Sequence, residues 1–88
     1  MITKEAIAQQ IKASLSAESV EIEDQSHLHA GHAGAASGGG HYDVIVVAQV
    51  FEGLNTLARH RLIYEAVSDL MKKEIHALSI QAFDPSEL

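Results

Sequence analysis

Apolar side chains recur at every fourth position near the start of the chain. Ile7, Ile11 and Leu15 share one face, with Ile2 and Ala6 flanking it, which predicts a helix over Thr3 to Leu15. Thr3 is placed to cap it, and Ile2 and Ile7 then fall at the two positions of a hydrophobic staple. From Ser19 to Gln25 the period drops to two: Val20 and Ile22 alternate with Glu21 and Glu23, the pattern of a strand with one wet face. His41 to Phe51 (HYDVIVVAQVF) is rich in β-branched residues and reads as a second strand. Its centre, Val44 to Val47, is apolar on both parities, so one of its faces is expected to be only partly covered.

Gly53 and Asn55 interrupt this run, and Asn55 can cap a second helix. A helical stripe of Leu62, Ile63, Ala66, Val67, Leu70 and Met71 predicts that helix from about Thr56 to Lys72. Lys72 and Lys73 would stand at its negative end, where the macrodipole favours cations. Ile75 to Phe83 reads as a last strand, ended by Asp84-Pro85. The order is α-β-β-α-β, an α+β domain with both helices on one face of a three-stranded sheet.

Between the first two strands lies a connection of different character, roughly Ser26 to Gly40. It holds five of the chain's six glycines together with His27, His29 and His32. A connection of this length without regular structure is usually functional or disordered. The whole chain has six histidines and no cysteine. Imidazole is the commonest protein metal ligand and titrates near neutrality. Any iron–sulfur or zinc site built here must therefore be all-nitrogen or take sulfur from a partner.

With 88 residues the chain is expected to form a single domain with a thin core. Its net charge of -6 and its six lysines and arginines argue against binding nucleic acid chiefly through phosphates. No apolar run approaches the roughly 20 residues that cross a bilayer, so a membrane role is not expected. The N-terminus has neither the apolar stretch of a signal peptide nor an arginine-rich pattern, and a cytoplasmic location is expected. There is no cysteine nucleophile, no G-x-S-x-G and no P-loop. A triad of Asp24, Ser26 and a loop histidine would need a rigid support that a glycine-rich loop does not give, so an enzyme is not expected.

Four segments in order, DQSHLHAGH, GHYDVIVVAQVFEG, RHRLIYEAVSDLM and IHALSIQAFDP, resemble the BolA family, over about Ala6 to Pro85. The resemblance implies a class II KH-like fold, α-β-β-α-α-β, with a short extra helix before the last strand. It also implies two functional themes. One is partnership with a monothiol glutaredoxin around a shared [2Fe–2S] cluster, to which the glutaredoxin and glutathione bring sulfur. The other is a DNA-binding regulatory role in stress response and cell morphology. In the first theme the family's ligands correspond here to His76 and to one loop histidine, by position His29, with His32 and His27 as alternatives. A chain bringing only two ligands is not expected to hold the cluster by itself, and alone it is expected to be a monomer or a weak homodimer.

Each of these residues also has a purely structural reading. By strand parity with Leu78 and Ile80, His76 could be a half-buried histidine satisfying one hydrogen bond. Arg59, His60 and Arg61 open the second helix. They could form a basic patch with Lys72 and Lys73 for DNA or for a glutaredoxin. Alternatively, His60 and Arg61 hydrogen-bond the turn from Phe51 to Asn55 and cover apolar surface with their stems. KH domains clamp the nucleic-acid backbone with a GXXG loop. The nearest stretch here is Glu52-Gly53-Leu54-Asn55, which is not one.

Overall fold

The computed structural model describes residues 3–25, 40–72 and 74–88. The elements are α1 (Lys4–Leu15), β1 (Ser19–Asp24), β2 (Gly40–Val47), α2 (Thr56–Ala66) and β3 (Ile75–Phe83), with 3₁₀ turns at Gln49–Phe51 and Pro85–Glu87. Both helix starts are set locally. Thr3 Oγ1 accepts the Ala6 N–H at 3.2 Å, and Asn55 Oδ1 accepts the Ala58 N–H at 2.9 Å. Ile2, the other half of the expected staple, lies outside the described residues.

The sheet has strand order β1-β2-β3, with β1 antiparallel and β3 parallel to β2. Along β2 the even positions Tyr42, Val44 and Val46 are buried while Asp43 is exposed, so one face carries the core. Onto that face α1 sets Ile7 and Ile11, both fully buried, while α2 sets Ile63 and the turns after it set Val67 and Leu70. The parallel β2–β3 pairing requires a crossover, which α2 supplies. The opposite face presents Glu21, Glu23, Asp43, Ser79 and Gln81 around Ile45.

Two boundaries differ from those expected. β2 ends at Val47, not Phe51. The Ala48 N–H still bonds the Phe83 carbonyl at 3.0 Å, but the chain then coils into the 3₁₀ turn, which brings Phe51 fully into the core. Gly53, at φ +79, closes that turn in a conformation side chains rarely adopt.

The second helix ends at Ala66, not Lys72. The Ala66 carbonyl, which the helix would offer to the Leu70 N–H, accepts instead from Gln10 Nε2 of α1 at 2.9 Å. The Leu70 N–H turns to Val67 O, and Val67 and Ser68 bond three residues back. Val67 and Leu70 reach the core from turns, so Lys72 does not sit on a helix terminus. The segment before β3 consists of turns where the family resemblance implied a short helix.

Candidate functional site

Because β2 and β3 are parallel, their first residues lie at the same end of the sheet. The register there is irregular: Gly40 is opposite Ile75 but His41 is opposite Ala77. His76 is the extra residue of a β-bulge. The bulge explains why Ile75 and Leu78, three positions apart, are both buried. It also settles the parity reading of His76, which is exposed and not a half-buried core histidine. Its ring lies 5.0 Å from that of His41, centroid to centroid, tilted by 45°. Two imidazoles from two strands thus stand together at the end of the sheet where β2 and β3 begin.

Next to His41 in the chain, Tyr42 packs back over Gly40. A Cβ on Gly40 would come within 2.5 Å of the Tyr42 ring, so glycine is required for this close approach. Burial, reinforced by the charge of Asp24, pushes the Tyr42 phenol above its ordinary pKa of 10.0.

His29, His32 and His27 lie outside the described residues, as does Lys73. Among the described residues no group of three or more His, Asp or Glu side chains could hold a metal ion. The described part of the site holds one exposed imidazole on a bulge and a second imidazole beside it, in a chain without cysteine.

The basic cluster resolves differently. Arg59 is buried, and its guanidinium turns inward to the far end of the sheet. Nε donates to Leu54 O at 2.9 Å and Nη1 to Ala82 O at 3.1 Å, while Asp84 and Glu87 supply carboxylates. The Phe51 ring lies under it, 6.0 Å from the guanidinium carbon. Arg59, a candidate for the basic patch, is thus engaged within the fold. The bond to the Phe51–Asn55 turn comes from Arg59, where His60 and Arg61 were the candidates. Arg61 and Lys72 are exposed, and His60 is half-buried.

The receiving carboxylates belong to a capping box. Asp84 accepts from the Ser86 N–H at 2.8 Å and from the Ser86 hydroxyl, while Glu87 accepts the Asp84 N–H at 2.7 Å. The Ser86 hydroxyl bond, with smaller help from the Ser86 N–H and Arg59, holds the Asp84 carboxyl below its ordinary range against the opposing effect of burial. This clasp was not expected from the sequence, although Asp84-Pro85-Ser86-Glu87 carries the spacing of a capping box. The closeness of His41 to His76 had no such local signal.

Residues 11–87 match the family model described as BolA-like protein. Among curated proteins, the chain is 40% identical over 82 residues to BolA-like protein 1 of Mus musculus, covering 93% of this chain and 58% of the mouse protein. It is 37% identical over 87 residues to the SufE-like protein 1 of Arabidopsis thaliana, covering 93% of this chain but 24% of that protein. Against the DNA-binding transcriptional regulator BolA of Haemophilus influenzae, identity is 30% over 87 residues, covering 99% of this chain and 82% of the regulator.

The chain thus spans only part of the first two of these relatives. Among solved structures, the BolA domain of Arabidopsis SufE1 superposes with a TM-score of 0.83 at 34% identity, each chain covered fully. The mixed three-stranded sheet, the helices on one face and these matches agree: the chain belongs to the BolA-like family.

Proposed function

We propose that the chain is an adaptor that binds a monothiol glutaredoxin and shares a [2Fe–2S] cluster with it and with glutathione, serving cluster assembly, trafficking or sensing. The observation that carries this reading is the bulge. It lifts His76 out of the ladder, leaves its imidazole exposed beside His41, and does so in a chain with no thiol of its own. His76 and a histidine of the 26–39 connection, His29 first and His32 or His27 next, would be the protein's ligands. Neutral imidazole ligation makes such a cluster less negative and raises its potential. The similarity to a SufE-like protein points the same way.

The chain's own contribution is positional. The β2–β3 ladder fixes the backbone on both sides of His76, and two protein ligands leave room for a partner's. Co-expression with a monothiol glutaredoxin should give a brown heterocomplex, and reconstitution of the chain alone a colourless protein. His76→Ala should abolish the imidazole-dependent absorption features with far-UV circular dichroism unchanged, and His29→Ala should weaken retention in part. An unaltered spectrum in His76→Ala would sink the assignment.

A second reading, a DNA-binding regulator, is favoured by the similarity to the Haemophilus transcriptional regulator. With Arg59 turned inward, the described cations left for phosphate in the 59–72 region are Arg61 and Lys72. So few contacts imply weak binding with a shallow dependence on salt. The adaptor reading therefore stands first.

A further inference from the structure

His76 has a neighbour that the adaptor reading does not use. His41 follows Gly40 on β2, half-buried, and its backbone is held from both sides. Its carbonyl accepts the Gln25 N–H at 2.7 Å, from the end of β1. One residue earlier the Gly40 N–H donates to Glu74 O at 3.1 Å, just before β3. His76 is held in turn by Ile75 and Ala77, the paired residues on either flank of the bulge. Both imidazoles are therefore presented by ladder backbone, so little rearrangement is needed to bring them to a common point.

Their separation has the size that one shared ion requires. A divalent ion such as Zn²⁺ sits about 2.0–2.1 Å from an imidazole nitrogen, hence about 3.2 Å from the ring centroid. Two rings on one ion then have centroids about 4.5 Å apart when the bonds meet at a right angle, and about 5.2 Å at the tetrahedral angle. The 5.0 Å between His41 and His76 falls inside that span. Their tilt of 45° is neither the offset stack nor the edge-to-face arrangement that a packed aromatic pair prefers. Imidazole donors suit Zn²⁺, Ni²⁺ or Cu²⁺, whereas Mg²⁺ and Ca²⁺ take oxygen. The chain's net charge of -6 favours a cation near it.

We infer that His41 and His76 form a two-imidazole site for a single late first-row divalent ion, held by the chain without a partner. One nitrogen of each ring binds the ion, and the other keeps a hydrogen bond that fixes the ring. Water fills the remaining positions, as in an open site and not a closed structural one. The second imidazole closes onto an ion already held by the first, at high effective concentration, so the pair binds far better than either ring alone. The site requires no glutaredoxin, no sulfide and no histidine of the 26–39 connection, so it stands or falls apart from the adaptor reading. Where both hold, an ion on the pair engages His76 and competes with the cluster for it.

The test is a titration of the full chain with Zn²⁺, followed through the ring C–H signals of each histidine by NMR. The His41 and His76 signals should move together, and Mg²⁺ should move neither. Replacing the three histidines of the connection at once, His27→Ala/His29→Ala/His32→Ala, should leave that response in place and saturating at one ion per chain. In that background His41→Ala and His76→Ala should each weaken binding at the remaining strand imidazole by about tenfold or more.

Signals that stay in place or move separately overturn the proposal. So does a response lost with the three connection histidines, or a strand variant that binds Zn²⁺ as tightly as its background. His41→Gln keeps a polar side chain at the half-buried position and gives the same reading should His41→Ala unfold.

Discussion

The two ends of the β2–β3 pair share one ladder and are built in opposite ways. At the C-terminal end Arg59 gathers Leu54 O, Ala82 O and the carboxylates of Asp84 and Glu87, tying the start of α2, the end of β3 and the last residues into one clasp. At the N-terminal end the ladder slips by one residue, an exposed histidine stands on the slip, and a glycine is needed to seat Tyr42. One cation holds the fold together, and one imidazole is left facing out. The difference teaches that residue type alone does not mark a site. Arginine in a basic triplet is buried here, and histidine in an apolar strand is exposed.

The largest expected difference between the ends comes from truncating each. Arg59→Ala leaves two part-buried carbonyls and the buried Asp84 carboxylate without their donor, at roughly 1–3 kcal/mol each where buried, so urea unfolding should show a loss of at least about 2 kcal/mol. His76→Ala removes an exposed side chain and should shift the same curve by less than about 0.5 kcal/mol. Equal losses would abolish the contrast.

An intermediate effect is expected at Gly40. In Gly40→Ala the Tyr42 ring must swing aside to admit the new methyl, at about 1–3 kcal/mol. The phenol, once displaced toward water, should titrate nearer its ordinary pKa. Urea unfolding reads the first effect and a spectrophotometric titration of tyrosinate the second. A stable variant with an unmoved Tyr42 would show that this end is not tightly packed.

The smallest effect concerns acid. Asp84 titrates lower in the native state than its ordinary 3.8. Below that value the unfolded chain takes up its proton first, so the stabilisation is complete above about pH 4 and is lost as pH falls through the native value. Asp84→Asn should make the dependence of the urea midpoint on pH shallower in that window and leave the His76 end untouched. An unchanged profile would remove the carboxylate from any part in the clasp's stability.

How much of this was legible in the sequence depends on how far apart the deciding groups lie. The caps Thr3 and Asn55 act three residues ahead and were readable, as were the three strand positions and the apolar stripes of Ile7 and Ile11 on α1 and of Ile63 on α2. The end of α2 was not, because Gln10 sets it from 56 residues away. The same holds for Arg59, whose carboxylate partners lie 25 and 28 residues on. Resemblance to the family pointed to His76, but its exposure depends on a pairing slip that strand alternation does not show. His27, His29 and His32 were readable as a cluster of chemistry, and they lie outside the described residues.

The slip at His76 also bears on how such a chain tolerates change. A ladder that pairs Gly40 with Ile75 and His41 with Ala77 leaves one residue that neither strand counts. Whatever occupies that place can be exchanged without altering which side chains on either flank reach the interior. The sheet thus carries a vacant syllable, a position free of the grammar of alternation, where a reactive group can be written, revised or erased while the words around it keep their order.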